Sequence, residues 1–195
     1  ANNVLHIYAL PSLIARYIQS QNEANADQLK KYITQVYPYF RSEMYLPWAE
    51  GDLEQRITEA IQYLSALSII KEGTSIHAPA PESYAYSCLT QLANITAASI
   101  ERFYVVITLL RYKPKLSHRE LESSAADIAS QLSALYGINS PDFHEKSLFS
   151  SFINTLKKQG GSMHSAATKL EPVIAITVGL DTKHKILQAV TRDST

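Results

Sequence analysis

The stretch VLHIYALPSLIARYIQSQ at 4–21, followed by NEANADQLKKYITQVYPYF at 22–40, decides the fold class, because both parts carry helical patterns. The first part is apolar on nearly every face, which predicts a helix that is buried on more than one side. Pro11 suits the first turn of a helix better than its interior, so either a helix begins there or a longer helix kinks. In the second part Asn25 and Gln28 have the spacing of a capping box, and apolar residues then recur at helical spacing.

After these two helices the chain alternates further helical patterns with short connectors. Asp52 is placed to cap the next helix, with Gln55 three residues on. The run SIIKEGTSIH at 68–77 then predicts a small β-hairpin. A proline-rich connector follows it and leads into one long helical pattern over 82–112. We expect this long helix to be the central one.

The second half of the chain shows three more helical segments. Ser117 and Glu120 form a second capping-box pattern in SHRE, and Ser140 with Pro141 fits the cap and first residue of the helix after it. The last segment, 170–191, mixes β-branched residues with helical spacing. We interpret it as a helix, because Pro172 suits a helix start.

Two short stretches, KEGTSIH at 71–77 and KQGGSMH at 158–164, share Lys, Gly, Ser and His in register. Each follows a pair of helices, and helix–helix–hairpin is the order of a winged-helix unit. Sub-units over 25–77 and 117–164, on either side of the central helix, are therefore one interpretation, and chance similarity between glycine–serine turns is the other. Together the patterns predict a mainly α fold of six or seven helices with one or two small β-hairpins.

Composition restricts the class of protein. The chain has 195 residues, of which 46% are hydrophobic and 18% charged, and its formal net charge is zero. We expect a single helical domain of moderate size over 1–195. The neutral charge favours neither a nucleic-acid partner nor binding to an acidic membrane surface. The one cysteine, Cys88, cannot form an internal disulfide, and its apolar helical neighbours predict that it is buried.

No constellation in the sequence carries obvious chemistry. The histidines lack the spacing of a zinc-binding helix, and the sequence has neither a serine-nucleophile elbow nor a glycine-rich phosphate loop. The basic cluster RYKPK at 111–115 leaves the end of a helix, where cations are favoured by the helix dipole. It is either a solvated helix end or a contact for a phosphate or lipid headgroup. The helix over 52–67 carries three acidic residues against one arginine, which disfavours nucleic-acid binding.

Two stretches resemble a known family. NNVLHIYALPSLIA at 2–15 and LSALYGINSPDFHEKSLFSSFINTLKKQG at 132–160 are similar to the C-terminal region of bacterial membrane-associated glycerol-3-phosphate 1-acyltransferase. The resemblance implies a parent enzyme that transfers an acyl group from acyl carrier protein or acyl-CoA to glycerol 3-phosphate, the first step of phospholipid synthesis. It also implies a peripheral location on the cytoplasmic face of the bacterial inner membrane.

The resemblance implies a catalytic histidine with an aspartate five residues later, and this chain has no such pair. The residues five places after the six histidines are Pro11, Glu82, Ser123, Phe149, Lys169 and Ala189. His77 with Glu82 keeps a carboxylate at that distance, but the intervening prolines forbid the helix start that presents the pair. We therefore predict no catalytic, cofactor-binding or metal-binding residue and no cofactor, and we expect the chain alone to be inactive.

The resemblance also implies a role for residues 1–21 and a set of partners. Residues 1–21 would be a connecting helix from a missing N-terminal catalytic domain, and that domain would be the main partner. The extra apolar faces of this helix would pack on the missing domain or lie at the membrane interface, and its lack of a basic polar face favours packing. Acyl carrier protein and the membrane surface are further possible partners. The alternative function is an independent helical protein-interaction module with winged-helix-like units.

Overall fold

The computed structural model describes residues 5–136 and 143–192, and over these the chain is mainly α, as the patterns predict. Two compact units divide the chain, unit 1 at Ala1–Ala97 and unit 2 at Ala98–Thr195. The prediction of one domain over the whole chain stays a prediction. In unit 1 the described elements are α1 (Leu5–Gln21), β1 (Glu23–Ala24), α2 (Ala26–Met44), a 3-10 turn (Glu50–Asp52), α3 (Leu53–Ala66), β2 (Lys71–Glu72), β3 (Ile76–His77) and α4 (Tyr84–Asn94).

In unit 2 every described regular element is a helix. The first of these helices begins at Ala97, which is the last residue of unit 1. The five helices are α5 (Ala97–Tyr112), α6 (His118–Tyr136), α7 (Lys146–Gly160), α8 (Met163–Ala175) and α9 (Leu180–Arg192).

Helix α1 forms the centre of unit 1 and packs on α2, α3 and α4. It begins at Leu5 and runs through Pro11, so the helix does not start at the proline. The prediction that it is buried on more than one side is confirmed. Unit 1 itself covers most of these apolar faces, and the expectation that a missing domain packs on α1 stays a prediction. The buried residues of α1 are Ala9, Leu10, Ser12, Leu13, Ile14, Ala15, Tyr17 and Ile18.

The starts of α2 and α3 show one predicted helix cap that forms and one that does not. The predicted capping box is confirmed: the Asn25 side-chain oxygen accepts from the Gln28 backbone N–H at 2.8 Å, and the Gln28 side chain accepts from the Asn25 N–H at 3.3 Å. Asp52 was the wrong cap for α3. It ends a 3-10 turn in a helical conformation (φ −91°, ψ −10°), and its side chain makes no capping hydrogen bond.

The predicted hairpin over 68–77 is confirmed as the antiparallel strands β2 and β3. The two-residue strand β1, which was not predicted, pairs with the other edge of β3 and gives the order β1–β3–β2. Residues 25–77 therefore follow the helix–helix–hairpin order that the sequence predicted, with one extra strand before the first helix.

The predicted central helix over 82–112 is wrong as a single element, because it breaks between α4 and α5 at Ile95 and Thr96. The backbone N–H of Thr96 donates to the hydroxyl of Ser12 at 3.2 Å, and the two hydroxyl oxygens lie 2.8 Å apart. A partner on α1 thus replaces the intrahelical bond. Among the described helices none alone has the length and apolar composition of a membrane span; only α4 and α5 taken together meet that test.

In unit 2 the predicted capping box of α6 is confirmed. The Ser117 N–H donates to the Glu120 carboxylate at 2.8 Å, and the Glu120 N–H donates to the Ser117 hydroxyl at 3.4 Å. This hydrogen bonding holds the pKa of the Glu120 carboxyl below its usual range. Inside the unit Phe103 of α5 stacks on Phe152 of α7, with ring centroids 4.2 Å apart.

The second predicted hairpin, at 158–164, is wrong, and with it the winged-helix reading of 117–164. These residues are the end of α7, a two-residue turn and the start of α8. Gly161 makes the turn at φ +70°, which L side chains rarely adopt, and the Ser162 hydroxyl caps α8 by accepting from the Ser165 N–H at 3.1 Å. A glycine–serine pair that could close a hairpin here ends one helix and caps the next.

Of the other two predicted helix starts in unit 2, the one at Pro172 is wrong and the one at Ser140 and Pro141 stays a prediction. Helix α7 begins at Lys146, after a turn at the fully buried Phe143, whereas Ser140 and Pro141 lie outside the described residues. The segment 170–191 is helical, as predicted, but it belongs to two helices, and Pro172 lies inside α8.

Replacing Tyr45 by glycine is expected to stabilise unit 1. Tyr45 ends α2 in the left-handed conformation (φ 53°, ψ 44°), and its side chain is 89% exposed. Relief of about 1–2 kcal/mol of backbone strain should exceed the roughly 0.4–1 kcal/mol of added unfolded-state entropy. We expect a net gain of about 0.5–1 kcal/mol in urea unfolding followed by the fluorescence of Trp48, the only tryptophan.

The matched control is Tyr84→Gly. Tyr84 is 86% exposed, but it is the first residue of α4. Glycine there should destabilise, by up to about 1 kcal/mol. A loss of stability in Tyr45→Gly would show that the exposed ring contributes more than the strain costs.

Candidate functional site

A groove on unit 1 lies between the first half of α1, the loop after α2, and α3, and we call it the α1–α3 groove. Its volume is about 400 Å³. The groove is open because α1 carries apolar residues on nearly every face, and the neighbouring elements leave Ile7 and Tyr8 uncovered. The lining residues are Ile7, Tyr8, Leu10, Pro11, Trp48, Arg56, Glu59, Ala60 and Tyr63.

Helix α3 contributes a second face to this groove beside its buried stripe. Arg56, Ala60 and Tyr63 recur at spacings of four and three, which places them on one side of the helix. The buried stripe that holds α3 in unit 1 consists of Leu53, Ile57, Ile61 and Leu64. Ala60 is only partly buried and lines the groove, beside this stripe.

Tyr37 anchors the loop that carries Trp48. This tyrosine is fully buried, and its hydroxyl donates to the Trp48 carbonyl oxygen at 2.8 Å. Burial raises the pKa of the Tyr37 hydroxyl, which keeps it protonated and able to donate. Leu46, buried in the same loop, adds a second anchor. The wall of the groove at Trp48 is thus fixed by the fold of unit 1.

Large apolar side chains of the groove remain in contact with water. Ile7 is 58% exposed, Tyr8 42% and Tyr63 57%. The charged groups at its edge neutralise each other, because the Arg56 guanidinium lies 2.9 Å from the Glu59 carboxylate. A side-chain hydrogen bond from Gln55, followed by the pairing with Arg56, holds the pKa of Glu59 below its usual range. The groove is therefore apolar, and the one positive and one negative charge at its edge sum to zero.

A second concave site lies within unit 2 around Arg111, at the end of α5. Two adjoining cavities of about 600 and 270 Å³ share Arg111 and Glu171 in their walls. The Arg111 guanidinium lies 2.6 Å from the Glu171 carboxylate of α8, and this pairing raises the pKa of Arg111. The basic cluster at 111–115 is thus partly engaged within its own unit. Since the side chain of Arg111 is 61% exposed, the pair adds little stability.

Two of the described histidines lie near a carboxylate. His118 faces Glu122 at 3.8 Å, one turn further along α6, and both side chains are half-buried. His77 faces Glu23 across β3 and β1 at 3.9 Å, so its nearest carboxylate is not Glu82. His184 contacts Gln188 at 2.8 Å. Over residues 5–136 and 143–192 no three metal-ligating side chains meet. The prediction that the chain holds no catalytic, cofactor-binding or metal-binding residue stays a prediction.

Sequence reasoning singled out residues of both concave sites but not the sites themselves. For the α1–α3 groove a signal was present, because Ile7 and Tyr8 belong to a helix with more apolar faces than one packing surface needs. For Arg111 the basic cluster at 111–115 was a signal, but its pairing with Glu171, 60 residues away, could not be predicted. Cys88 was also misjudged: it is only partly buried.

Comparison with known proteins gives a consistent result. The family model of the glycerol-3-phosphate acyltransferase C-terminal region matches residues 1–163. A glycerol-3-phosphate acyltransferase of Pseudomonas fluorescens (strain SBW25) is 36% identical over 172 residues, which are 87% of this chain and 20% of that protein. One of Pseudomonas paraeruginosa (strain DSM 24068 / PA7) is 37% identical over 158 residues, 80% of this chain and 19% of that protein. The chain thus spans about a fifth of the relatives it matches. No solved structure matches it.

Proposed function

This chain belongs to the family of glycerol-3-phosphate acyltransferase C-terminal regions, and from that premise we infer that it is the C-terminal, non-catalytic part of such an enzyme. The parent protein would transfer an acyl group from acyl carrier protein or acyl-CoA to the 1-hydroxyl of glycerol 3-phosphate. The product of that transfer would enter phospholipid synthesis. This chain would support the catalytic part without touching the reacting atoms.

The observation that carries this proposal is the coverage. The family match extends over residues 1–163, yet the chain accounts for 20% of the relatives' length. A histidine base needs an orienting carboxylate within hydrogen-bond reach. No histidine here has an aspartate five residues later; His77 meets Glu23 at 3.9 Å in an exposed position, and His118 meets Glu122 at 3.8 Å within α6. The chemistry is therefore assigned to the remaining four-fifths of the parent.

The test compares this chain with the full-length polypeptide. Purified 1–195 is expected to show no acylation of glycerol 3-phosphate with either acyl-CoA or acyl carrier protein as donor, whereas the full-length polypeptide is expected to turn over. Formation of 1-acylglycerol 3-phosphate is followed with labelled glycerol 3-phosphate. Turnover by 1–195 alone would overturn the non-catalytic role, and an inactive full-length polypeptide would overturn the assignment of the parent.

We extend the proposal to partners and location. The N-terminal catalytic part of the same polypeptide is the principal partner, with acyl carrier protein and the membrane surface as further ones. The parent would lie peripherally on the cytoplasmic face of the bacterial inner membrane. This extension is supported only by the kind of enzyme that the relatives' name describes.

One observation favours a second candidate function, an independent protein-interaction module. Residues 25–77 have the helix–helix–hairpin order of a winged-helix unit. On α3 the exposed charges are Glu54, Arg56 and Glu59, a balance unsuited to phosphate backbones, so such a module would bind protein. Full activity of the parent after removal of this chain would favour this second candidate.

A further inference from the structure

Resting on the proposed function, we propose that the α1–α3 groove binds an apolar segment of the N-terminal part of the same polypeptide. The groove would thus be the surface through which unit 1 holds the catalytic part. The following observations on unit 1 identify the occupant.

The exposed apolar side chains of the groove are an exception within their own helix. Along α1, Leu10, Leu13 and Ile14 are at most 2% exposed, so unit 1 has a complete core there. Ile7 and Tyr8 lie one turn earlier and remain exposed at 58% and 42%. Exposed apolar surface with a defined concave shape and a fixed wall is typical of an interaction site.

The charges of the groove select an uncharged occupant. The lining of the groove holds one arginine and one glutamate, which lie 2.9 Å apart, so it carries no net positive charge that would attract a lipid phosphate or a nucleic acid. Binding to an anionic membrane surface requires basic residues around the apolar face. An apolar peptide segment has no such requirement.

The size of the groove favours a tethered occupant over a separate molecule. Its volume of about 400 Å³ accommodates a few side chains. A stable interface between free proteins buries about 800 Å² on each partner, which implies a much larger surface. A segment of the same chain needs less binding energy, because the tether provides an effective concentration of about millimolar.

The position of the groove in the chain agrees with this choice. The groove is built from the first two turns of α1, and α1 begins at Leu5. In relatives about five times as long, of which this chain matches the C-terminal region, the rest of the polypeptide precedes these turns. The incoming chain therefore reaches the groove without a long linker.

The test is site-specific cross-linking in the full-length polypeptide. A photoreactive p-benzoylphenylalanine replaces Tyr63 in the groove, and the control carries the same replacement at Tyr84, which is more exposed and lies in the same unit outside the groove. After irradiation, mass spectrometry of the digest identifies the partner peptide. The expected product joins position 63 to a peptide upstream of Ala1 within one chain, with a yield severalfold above position 84. A cross-linked dimer, an adduct with membrane lipid, or a yield equal to that of position 84 would overturn the proposal.

Hydrogen exchange gives a second readout that needs no substitution. Amides of 5–11 and 56–63 are expected to exchange more slowly in the full-length polypeptide than in 1–195, whereas those of the β2–β3 hairpin should exchange equally in both. Equal rates at 5–11 and 56–63 would contradict docking in the groove. Acylation of glycerol 3-phosphate by the same preparation reports on the proposed function, so a failure of docking is distinguishable from a failure of that function.

Discussion

Phe103→Ala is expected to lower the free energy of unfolding of unit 2 by about 3–5 kcal/mol. Phe103 and Phe152 are 1% and 2% exposed, and their rings stack 4.2 Å apart with an interplanar angle of 10°. Alanine would remove a whole aromatic ring from this site and leave its stacked neighbour beside a cavity. A loss of this size is a large fraction of the stability of an ordinary domain.

Hydrogen exchange is the suitable measurement, because Trp48 lies in unit 1 and its fluorescence does not follow unit 2. Amides of α5 and α7 in Phe103→Ala should lose most of their protection, while amides of α2 in unit 1 keep theirs. The control is Leu135→Ala on α6, where the side chain is 67% exposed, and it should change stability by less than about 0.5 kcal/mol. A loss below 1 kcal/mol in Phe103→Ala would contradict the assignment of the stacked pair to the core.

Two helix starts were predictable from the sequence, because the signal and its target lie within four residues. Asn25 with Gln28 and Ser117 with Glu120 each place two complementary groups three residues apart, and both boxes form. Asp52 had the same local appearance, but the chain enters α3 through a 3-10 turn, which keeps its side chain away from the first free N–H groups. The conformation before a helix is not encoded in the cap residue itself.

The glycine–serine turns show where a local pattern is ambiguous. At 71–77 the turn closes a hairpin, because β1 supplies a further strand for β3 to pair with. The similar stretch at 158–164 has no strand among its described neighbours, so Gly161 ends α7 and Ser162 caps α8. The same residue types thus serve two structures, and the choice depends on neighbours far away in sequence.

The candidate site was less predictable than the fold. The excess of apolar residues in α1 indicated an interaction surface, and the structure reduces that surface to the groove around Ile7 and Tyr8. The sequence of α1 does not tell which of its faces are covered within unit 1, because the covering residues belong to α2, α3 and α4. Tertiary pairing likewise decided the break after α4, where Ser12 replaces an intrahelical partner.

Ser12→Ala is expected to destabilise unit 1 by about 1–3 kcal/mol, because it leaves the Thr96 N–H and hydroxyl buried without their partner on α1. Ser12 and Thr96 are both fully buried, so water cannot replace the lost hydrogen bonds. The measurement is the urea midpoint of Trp48 fluorescence, which reports on unit 1. The control, Ser20→Ala, removes an exposed hydroxyl of the same helix that donates to the Tyr17 carbonyl at 2.8 Å. That change should stay within about 0.5 kcal/mol.

A double-mutant cycle with Thr96→Val separates the hydroxyl pair from the other effects of each substitution. Valine removes the Thr96 hydroxyl but keeps its volume and its N–H, so Ser12→Ala should cost less in the Thr96→Val background than in the parent. The difference, the coupling energy, is expected at about 0.5–3 kcal/mol for two groups in contact. Strict additivity would mean that the hydroxyls 2.8 Å apart do not interact. In that case the break between α4 and α5 would need a cause other than the hydroxyl pair, such as the packing of α1 against α4 or the bond from the Thr96 N–H.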